Sequence, residues 1–436
     1  MAPSGATVRV GLLGCGNVGA ALVQLLQADA EVIAARTGLR LEVARVAVRN
    51  VAKERQVELA ADILTHDAAA VVTDPGIDVV VELIGGIEPA RALILSALKS
   101  GKPVVTANKE LMANVGGELV QVAVANSVDL LYEAAVGGAI PLIRPLRESL
   151  AGEKVRRFMG IVNGTTNYIL TRMTEEGTGY AEALAEAQSL GYAERDPTAD
   201  VEGFDAGAKA AILATIAFGV EVVSGDVYRE GISGITAHDI AVAERLGYVV
   251  KLLAIGEQSG GGGAVPGPVA VRVHPAMLPR DHPLASVRGS FNAVFVEGEA
   301  AGELMFYGRG AGGAPSASAV LGDLIDAAHN LKSGGAGRAA SPPRAVIRPI
   351  DELRSQFYLN VDVVDRPGVL AAVAEVFGRH DVSIRSMEQA GLGDEARLIF
   401  ITHTALEADV QATVTGLHQL DAVKRVGSLL RVAGPE

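Results

Sequence analysis

Short apolar runs rich in β-branched residues alternate with amphipathic helical segments from Thr7 to about Ile140. The runs predicted to be buried strands are TVRVGLLG, LEVARVAV, DVVVELIG, KPVVTAN and VDLLYEAAV, and crossover helices are predicted for ALVQLLQ and ARALILSALKSG. Strands that alternate with helices imply a parallel, doubly wound sheet. We therefore predict an α/β, Rossmann-type domain over residues 1–140.

The pattern changes over residues 141–307. Longer helices, such as YAEALAEAQSLGY and HDIAVAERLGY, are mixed with alternating strands such as VVKLLAIGE, PVAVRVHP and NAVFVEGE. This mixture predicts an α+β domain. A glycine-rich stretch then leads into a helix, and we expect this piece, residues 308–330, to rejoin the first domain.

A third region is set apart by composition. Residues 331–353 begin with a stretch rich in Gly, Ser, Pro and Ala, which indicates a linker. Residues 354–436 then follow the order strand, helix, strand, strand, helix, strand. That order predicts a ferredoxin-like domain.

Composition excludes several classes of protein. The chain of 436 residues carries a net charge of −13, which argues against nucleic acid or an anionic membrane as the main partner. No run of about 18 uncharged apolar residues is present that could span a membrane. The start of the chain lacks the apolar stretch of a signal peptide, and a single cysteine, Cys15, cannot form an intramolecular disulfide. We therefore expect a cytoplasmic protein.

A glycine pattern follows the first predicted strand. Gly14, Gly16 and Gly19 are spaced G-x-G-x-x-G, with Asn17 and Val18 at the start of the next helix. The first glycine allows a tight turn, the second lets the backbone approach a pyrophosphate, and the third permits close packing. The helix N-terminus favours negative charge. We predict that these residues bind a dinucleotide; the alternative is a glycine turn that only eases packing.

The second predicted strand ends beside Arg49, and Lys53 follows closely. A site for NAD usually places an acidic residue at this position to hold the ribose 2′-hydroxyl, whereas arginine suits a 2′-phosphate. The sequence therefore favours NADP(H), with NAD(H) possible. The alternative is that Arg49 is only a solvated charge at the end of a strand.

One acid and one amine interrupt the apolar segment GFDAGAKAAILATIAFG. Asp205 and Lys209 lie four residues apart, so both point from one face of the predicted helix. A buried ion pair contributes little to stability, so either this face opens onto a site or the pair is a structural oddity. In the first domain, Thr106 and Lys109 stand where a predicted strand ends, where open sheets bind ligands. A surface lysine at a helix start is the alternative for Lys109.

Two further segments carry candidate ligands. Glu133 precedes a Gly/Pro run that cannot continue as strand or helix. The backbone carbonyls of this run could bind a hard cation. The alternative is that the run is only an interdomain hinge. Glu194 and Asp200 lie in an acidic stretch that could hold an ammonium group or could simply be solvated. The segment NGTTNYIL could bind a carboxylate, although capping of its helix is the safer interpretation.

The motifs NKE, EAAVGGAIP, NGTTNYIL and GYAERDPTADVEGFDAGAKA occur in order, and DVVDRPGVLAAVAEVF resembles the ACT signature. Together the chain, from Thr7 to Val432, resembles homoserine dehydrogenases of the monofunctional form with a C-terminal ACT domain. No aspartate kinase domain precedes the dinucleotide loop, so the bifunctional form is not indicated.

This resemblance implies roles for the candidate residues. Lys109 would contact cofactor and substrate at the reaction centre, Lys209 would be the acid/base, and Asp205 would support it. Glu194 would hold the substrate's amino group, with Asp200 near it.

The resemblance also implies a monovalent cation site and a further cofactor contact. Glu133, Val136, Gly138 and Ile140 would bind Na⁺ or K⁺, largely through backbone oxygens. Gly310 would belong to a loop that reaches back to the cofactor.

The implied reaction is the reversible NAD(P)-dependent reduction of L-aspartate 4-semialdehyde to L-homoserine, in threonine, methionine and isoleucine biosynthesis. The ACT domain would bind an amino-acid effector, with threonine the first choice, or serve only assembly, and a homodimer or homotetramer is expected. Two other interpretations stay open: a non-catalytic protein that senses cofactor and amino acid, and a dehydrogenase acting on a different amino acid.

Overall fold

The computed structural model describes residues 6–262, 265–335, 341–391 and 396–433. Some residues of the predicted domains lie outside the described ranges. They are residues 1–5 of the first domain, 336–340 of the linker, and 392–395 and 434–436 of the C-terminal domain.

The first domain is built on a parallel sheet of six strands in the order β3-β2-β1-β4-β5-β6. The strands are β1 Ala6–Leu13, β2 Leu39–Ala47, β3 Leu64–Thr65, β4 Val79–Glu82, β5 Val104–Thr106 and β6 Leu130–Leu131. The helices between them are α1 Asn17–Ala28, α2 Ala30–Thr37, α3 Ala68–Thr73, α4 Ala90–Lys99 and α5 Lys109–Ala125. The order reverses between β1 and β4, which is the doubly wound arrangement of a dinucleotide-binding domain. The Rossmann-type prediction is confirmed.

The second domain packs helices on one face of a mainly antiparallel sheet. Its helices are α6 Gly164–Glu176, α7 Tyr180–Ser189, α8 Thr198–Val201, α9 Phe204–Phe218 and α10 Ala237–Arg245. Its strands are β7 Val155–Ile161, β8 Tyr228–Arg229, β9 Tyr248–Gln258, β10 Gly261–Gly262, β11 Val265–Pro266, β12 Val269–Pro279, β13 Phe291–Gly298 and β14 Gly302–Arg309. Helix α9 is buried along most of its length, and its own buried residues are mainly alanines and other apolar side chains.

Helix α11, Gly313–Lys332, returns the chain to the first domain. Its buried residues Ala317, Val320 and Leu324 pack in one hydrophobic cluster with strands β1 and β4. Asp323, on the same helix, accepts a hydrogen bond from the backbone N–H of Glu133 at 2.7 Å. The helix therefore ties the first domain to the segment that leads into the second.

The C-terminal domain consists of β15 Arg354–Val363, α12 Val369–Arg379, β16 Ile384–Ala390, β17 Arg397–Thr402, β18 Ala405–Leu406, α13 Glu407–Leu417 and β19 Val423–Val432. Strand β19 also pairs in parallel with β12 through Ala276 and Met277. The two domains therefore share one sheet of 11 strands. Nine follow the path β14-β13-β7-β9-β12-β19-β15-β17-β16, while β18 pairs with β15 and β8 pairs with β12 off that path.

The described end of the predicted linker, residues 341–353, is bonded to the second domain. Arg344 forms an ion pair with Asp226 at 2.7 Å, and the backbone N–H of Arg348 donates to Val269 at 2.7 Å. This half of the linker is therefore fixed by specific contacts, which its Gly/Pro-rich composition did not indicate.

No single helix in the described ranges has the length and apolar character needed to cross a bilayer. The bent pair α1 and α2 meets that criterion only when the two helices are taken together.

Candidate active site

The glycine loop between β1 and α1 has the geometry that a pyrophosphate requires. Gly14 has φ +93°, and a Cβ there would lie 2.6 Å from the carbonyl oxygen of Leu83. A Cβ at Gly19 would lie 2.5 Å from the oxygen of Gly14, so both positions are closed to side chains. A Cβ at Gly16 would meet nothing within 4 Å, so that side of the loop is open to a ligand.

A cavity of about 600 Å³ extends from this loop along the end of β2. Its wall includes Gly14, Gly16 and Asn17 from the glycine loop, and Arg49 and Lys53 from the segment after β2. The described residues therefore fit a dinucleotide, with two cations in the wall of its cavity.

Asp205 is the centre of the polar cluster between the first two domains. One carboxylate oxygen, Oδ1, forms an ion pair with Nζ of Lys109, and the other, Oδ2, accepts a hydrogen bond from Nζ of Lys209 at 2.7 Å. Lys109 begins α5 in the first domain, whereas Asp205 and Lys209 lie on α9 in the second. The site is therefore assembled from both domains.

The loop before α6 completes the cluster. The amide nitrogen of Asn163 donates to Asp205 at 2.9 Å and to Asp200 at 2.7 Å. Its amide oxygen caps α6 by accepting from the backbone N–H of Thr166 at 2.8 Å. The carbonyl oxygen of Val162 accepts a second hydrogen bond from Lys209 at 2.7 Å.

Burial and charge set the protonation of this cluster. Burial raises the pKa of Asp205, but Lys209 and Lys109 outweigh burial and hold that pKa well below its usual range. Burial lowers the pKa of Lys109, but the Asp205 carboxylate outweighs burial, so the pKa of Lys109 is raised. Asp205 is therefore ionised and Lys109 carries its proton at neutral pH.

The two lysines differ in their access to solvent. The side chain of Lys209 is 9% exposed and makes both of its hydrogen bonds to buried groups, whereas that of Lys109 is 45% exposed. Within the described ranges, Lys209 has two acceptors for its three N–H groups. One N–H of Lys209 is thus left for a bound molecule.

A buried carboxylate supports the edge of the first domain. Glu82 is fully buried, accepts the N–H groups of Ile84 and Gly85, and accepts the hydroxyl of Thr106 at 2.6 Å. The Thr106 hydroxyl in turn accepts the N–H of Asn108 at 3.0 Å. Thr106 therefore shapes the turn before Lys109, and its hydroxyl is already engaged.

In the acidic segment before α9, one candidate carboxylate is partly buried and the other is exposed. Asp200 bonds to Asn163, and burial raises the pKa of its carboxyl. Glu194 is exposed, and its carboxylate is bonded to nothing in the described part of the chain. The structure therefore joins Asp200 to the lysine cluster and leaves Glu194 on the surface of the same segment.

The proposed cation-binding run forms a tight turn. The Glu133 carboxylate accepts the N–H groups of Leu142, Ile143 and Arg144 at 2.5, 2.9 and 2.7 Å. In the described ranges, no donor reaches the carbonyl oxygens of Val136, Gly138 and Ile140. Three backbone oxygens are thus available to a hard cation, while the Glu133 side chain fixes the turn.

Gly310 lies against this turn. A Cβ at Gly138 would be 2.6 Å from the carbonyl of Gly310, and a Cβ at Gly310 would overlap Asn292. A Cβ at Gly313, at the start of α11, would lie 3.1 Å from the oxygen of Asn17. The loop carrying Gly310 therefore reaches the dinucleotide loop.

Three partners in the site were not singled out from the sequence: Asn163, Glu82 and the carbonyl of Val162. The sequence predicts carboxylate binding or capping for the helix start at Asn163, and its bonds to Asp200 and Asp205 are additional to the cap. The other two depend on contacts between distant segments, for which a single sequence carries no signal.

Comparison with known proteins decides the family. Residues 14–133 match the family model for the NAD-binding domain of homoserine dehydrogenase, residues 141–325 the model for homoserine dehydrogenase, and residues 357–422 the ACT domain. A homoserine dehydrogenase from Mycobacterium tuberculosis is 50% identical over 435 residues, covering 98% of each chain. The chain belongs to the homoserine dehydrogenase family.

Solved structures agree with this assignment. The crystal structure of a homoserine dehydrogenase from Thiobacillus denitrificans superposes with a TM-score of 0.91 and 41% identity, covering 98% of each chain. A hyperthermophilic archaeal homoserine dehydrogenase in complex with NADPH superposes with a TM-score of 0.60 and 29% identity, covering 74% of this chain and 98% of its own. This homoserine dehydrogenase family member is thus an oxidoreductase with a nucleotide-binding domain, a catalytic domain and an ACT domain.

Proposed function

We propose that Lys209 is the proton donor in the reduction of aspartate 4-semialdehyde to homoserine. The observation that carries this proposal is the remaining N–H of Lys209, whose other two bonds go to Asp205 and to the carbonyl of Val162. Two fixed bonds orient the ammonium group, so the third N–H has a defined direction. When bound, the reduced nicotinamide supplies the hydride.

The remaining charges suit a carbonyl that gains negative charge. As hydride adds, the carbonyl oxygen becomes more basic, and Lys209 passes its proton to that oxygen. Lys109, kept protonated by Asp205, supplies positive potential beside the same oxygen. In the oxidative direction Lys209 must be neutral to accept the proton from homoserine.

The substrate's ammonium group requires a carboxylate. We assign this contact to Glu194, with Asp200 as a neighbouring acid that is anchored by Asn163. Glu194 is supported because its carboxylate is exposed and has no bond among the described residues. It lies on the same acidic segment as Asp200, which is bonded to the lysine cluster through Asn163.

For the cofactor, we propose a preference for NADP(H) over NAD(H). Arg49 and Lys53 line the cofactor cavity, where a 2′-phosphate would need cations. Replacing Arg49 by Ala should weaken NADPH binding about tenfold and NADH binding little, because a charged hydrogen bond to phosphate is lost. Fluorescence titration with both cofactors measures this, and equal weakening of both would contradict a phosphate contact.

Further properties follow from the same residues. A monovalent cation, Na⁺ or K⁺, would use the backbone oxygens of Val136, Gly138 and Ile140 in the turn that Glu133 fixes, and Gly310 would contact the cofactor. We propose threonine as effector of the ACT domain, a homodimer or homotetramer, a cytoplasmic location, and a role in threonine, methionine and isoleucine biosynthesis.

A spectrophotometric assay tests the proposed activity. Homoserine with NADP⁺ should increase absorbance at the nicotinamide band, whereas aspartate and saccharopine-type substrates should not. This comparison separates the proposal from a dehydrogenase for another amino acid and from a non-catalytic sensor. Cofactor binding without turnover of homoserine would contradict the proposal.

A further inference from the structure

A cavity of about 320 Å³ lies between the nucleotide-binding and catalytic domains, behind the lysine cluster. One wall is helix α5, through Met112, Gly116 and Val120, and the facing wall is helix α9, through Ile212 and Ile216. The proposed mechanism uses none of these residues.

The cavity begins one helical turn from the reacting groups. Met112 follows Lys109 by three residues on α5, and Ile212 follows Lys209 by three residues on α9. At the lysine end, the ion pair between Lys109 and Asp205 joins the two helices. A ligand that fills the cavity therefore affects the distance between α5, which carries Lys109, and α9, which carries Lys209.

The sequence creates room for a ligand at some cost to helix stability. Gly116 and Gly117 are adjacent glycines inside α5, where each is about 1 kcal/mol less favourable than alanine. A Cβ at Gly117 would overlap the carboxylate of Glu221, so this glycine lets that carboxylate lie against the helix.

Three polar side chains accompany the apolar walls. Tyr132 is only 8% exposed, and its hydroxyl makes no hydrogen bond in the described part of the chain. Burial raises the pKa of Tyr132 to about 12, so the hydroxyl keeps its proton and can donate it in a hydrogen bond. Arg147 and Glu221 also line the cavity, and among the described residues Arg147 has one partner, the partly exposed Glu148.

The third wall comes from the segment that leads to the ACT domain. Ser341, Pro342 and Pro343 line the cavity, and the N–H of Glu221 donates to the carbonyl of Pro343 at 2.7 Å. The carboxylate of Glu221 is left without a hydrogen-bonding or ionic partner among the described residues.

Size and chemistry select the ligand. A volume of about 320 Å³ lies at the lower end of the range for small-molecule sites, roughly 300–1,000 Å³, and so suits a small ligand. Arg147 and Tyr132 can bind a carboxylate, Glu221 can bind an ammonium group, and the helical walls accept an aliphatic side chain.

We propose that this cavity is a binding site for a free α-amino acid with an apolar side chain, distinct from the active site and from the ACT domain. The bound amino acid holds α5 and α9 at one spacing and thereby fixes Lys109 relative to Asp205 and Lys209. Its binding does not depend on the proposed chemistry, so the two can fail separately.

Isothermal titration calorimetry of the full-length protein tests the site, with L-isoleucine, L-leucine and L-methionine as probes. At least one should bind, while its D-enantiomer and the matching amine and carboxylic acid, each lacking one charged group, should bind about tenfold more weakly or not at all. Val120→Phe should abolish binding by filling the cavity.

Val124→Phe is the matched control, because Val124 lies one turn further along α5, is 42% exposed and does not line the cavity. It should bind the probe like the parent. Arg147→Gln should weaken binding about tenfold without filling the cavity. This second variant keeps the proposal testable if Val120→Phe does not fold. No binding to the parent, or unchanged binding to both cavity variants, overturns the proposal.

Discussion

A charge cluster lies at each of two domain boundaries in this protein, and the two clusters have opposite composition. Between the nucleotide-binding and catalytic domains, one acid, Asp205, bridges two lysines. Between the catalytic and ACT domains, one base, Arg431, bridges two acids, Glu230 and Glu407, in two bidentate pairs.

The difference lies in how many donors are used. Arg431 is 2% exposed, and Nε, Nη1 and Nη2 make four hydrogen bonds to carboxylates, so its five N–H groups are almost fully engaged. Lys209 keeps one N–H without an acceptor among the described residues. All three nitrogens of Arg431 are bonded to carboxylates, and this cluster fastens two domains, whereas the single nitrogen of Lys209 keeps an N–H that is available to a ligand.

The largest effect on turnover is expected from the substitution that removes the Lys209 ammonium group. Lys209→Ala should lower turnover by about several hundredfold or more, because the proton donor is lost. Cofactor affinity should stay near the parental value, since Lys209 bonds to Asp205 and Val162, and to no residue of the glycine loop, in the described part of the chain. Steady-state kinetics and cofactor titration measure both. The control Lys154→Ala, at a 59% exposed side chain, should behave like the parent; parental turnover in Lys209→Ala would refute the acid role.

Substitution of Arg431, in the cluster between the catalytic and ACT domains, should lower the stability of the protein. Arg431→Met removes the shared partner of two carboxylates, one of them 2% exposed, and should lower the free energy of unfolding by about 3 kcal/mol. Urea denaturation measures the loss. Arg379→Met, which breaks an exposed pair with Glu375, should cost less than about 0.5 kcal/mol. An equal, small loss in both variants would mean that Arg431 does not hold the domains together.

A pH profile sharpens the role of Asp205. This carboxylate raises the pKa of Lys109, so in Asp205→Asn the lysine should lose its proton at a lower pH. The alkaline limb of kcat/KM for reduction should therefore move to lower pH, with turnover reduced about tenfold. Asp196→Asn, at an exposed aspartate of the neighbouring segment, is the control. A profile that does not move would exclude coupling between Asp205 and Lys109.

The smallest effect separates two roles of Asn163. Asn163→Ser keeps a side-chain cap on α6 but removes the amide donors to Asp200 and Asp205. Turnover should fall by about three- to tenfold while stability stays near parental. Asn163→Ala should lose the same turnover and a further ~1 kcal/mol of stability with the cap. Kinetics and urea denaturation of both variants decide this, and full activity in Asn163→Ser would reduce Asn163 to a cap.

Much of the fold could be predicted from periodicity. The parallel sheet, the helix that carries Asp205 and Lys209, and the ferredoxin-like order of the last domain all follow from local patterns. The predicted strand VDLLYEAAV is shorter than expected, with β6 at Leu130–Leu131, because Glu133 turns the chain and its carboxylate accepts three backbone N–H groups.

The site was only partly predictable. Spacing placed Asp205 and Lys209 on one face, but the bond from Lys109 to Asp205 joins residues 96 positions apart on different domains. The same limit applies to Arg431, which meets Glu230 across about 200 residues. Such contacts depend on how the domains dock, which single-sequence patterns do not encode.

The pairing of β19 with β12 has a consequence for biosynthesis of the chain. Strand β12 receives this neighbour from the last strand of the described chain, about 150 residues later. While the protein is being synthesised, Ala276 and Met277 of the catalytic sheet therefore lack their strand partner, and Glu230 lacks its guanidinium partner. This pairing waits until Val423–Val432 has been translated, so the last domain docks on the catalytic sheet about 150 residues after β12 is made.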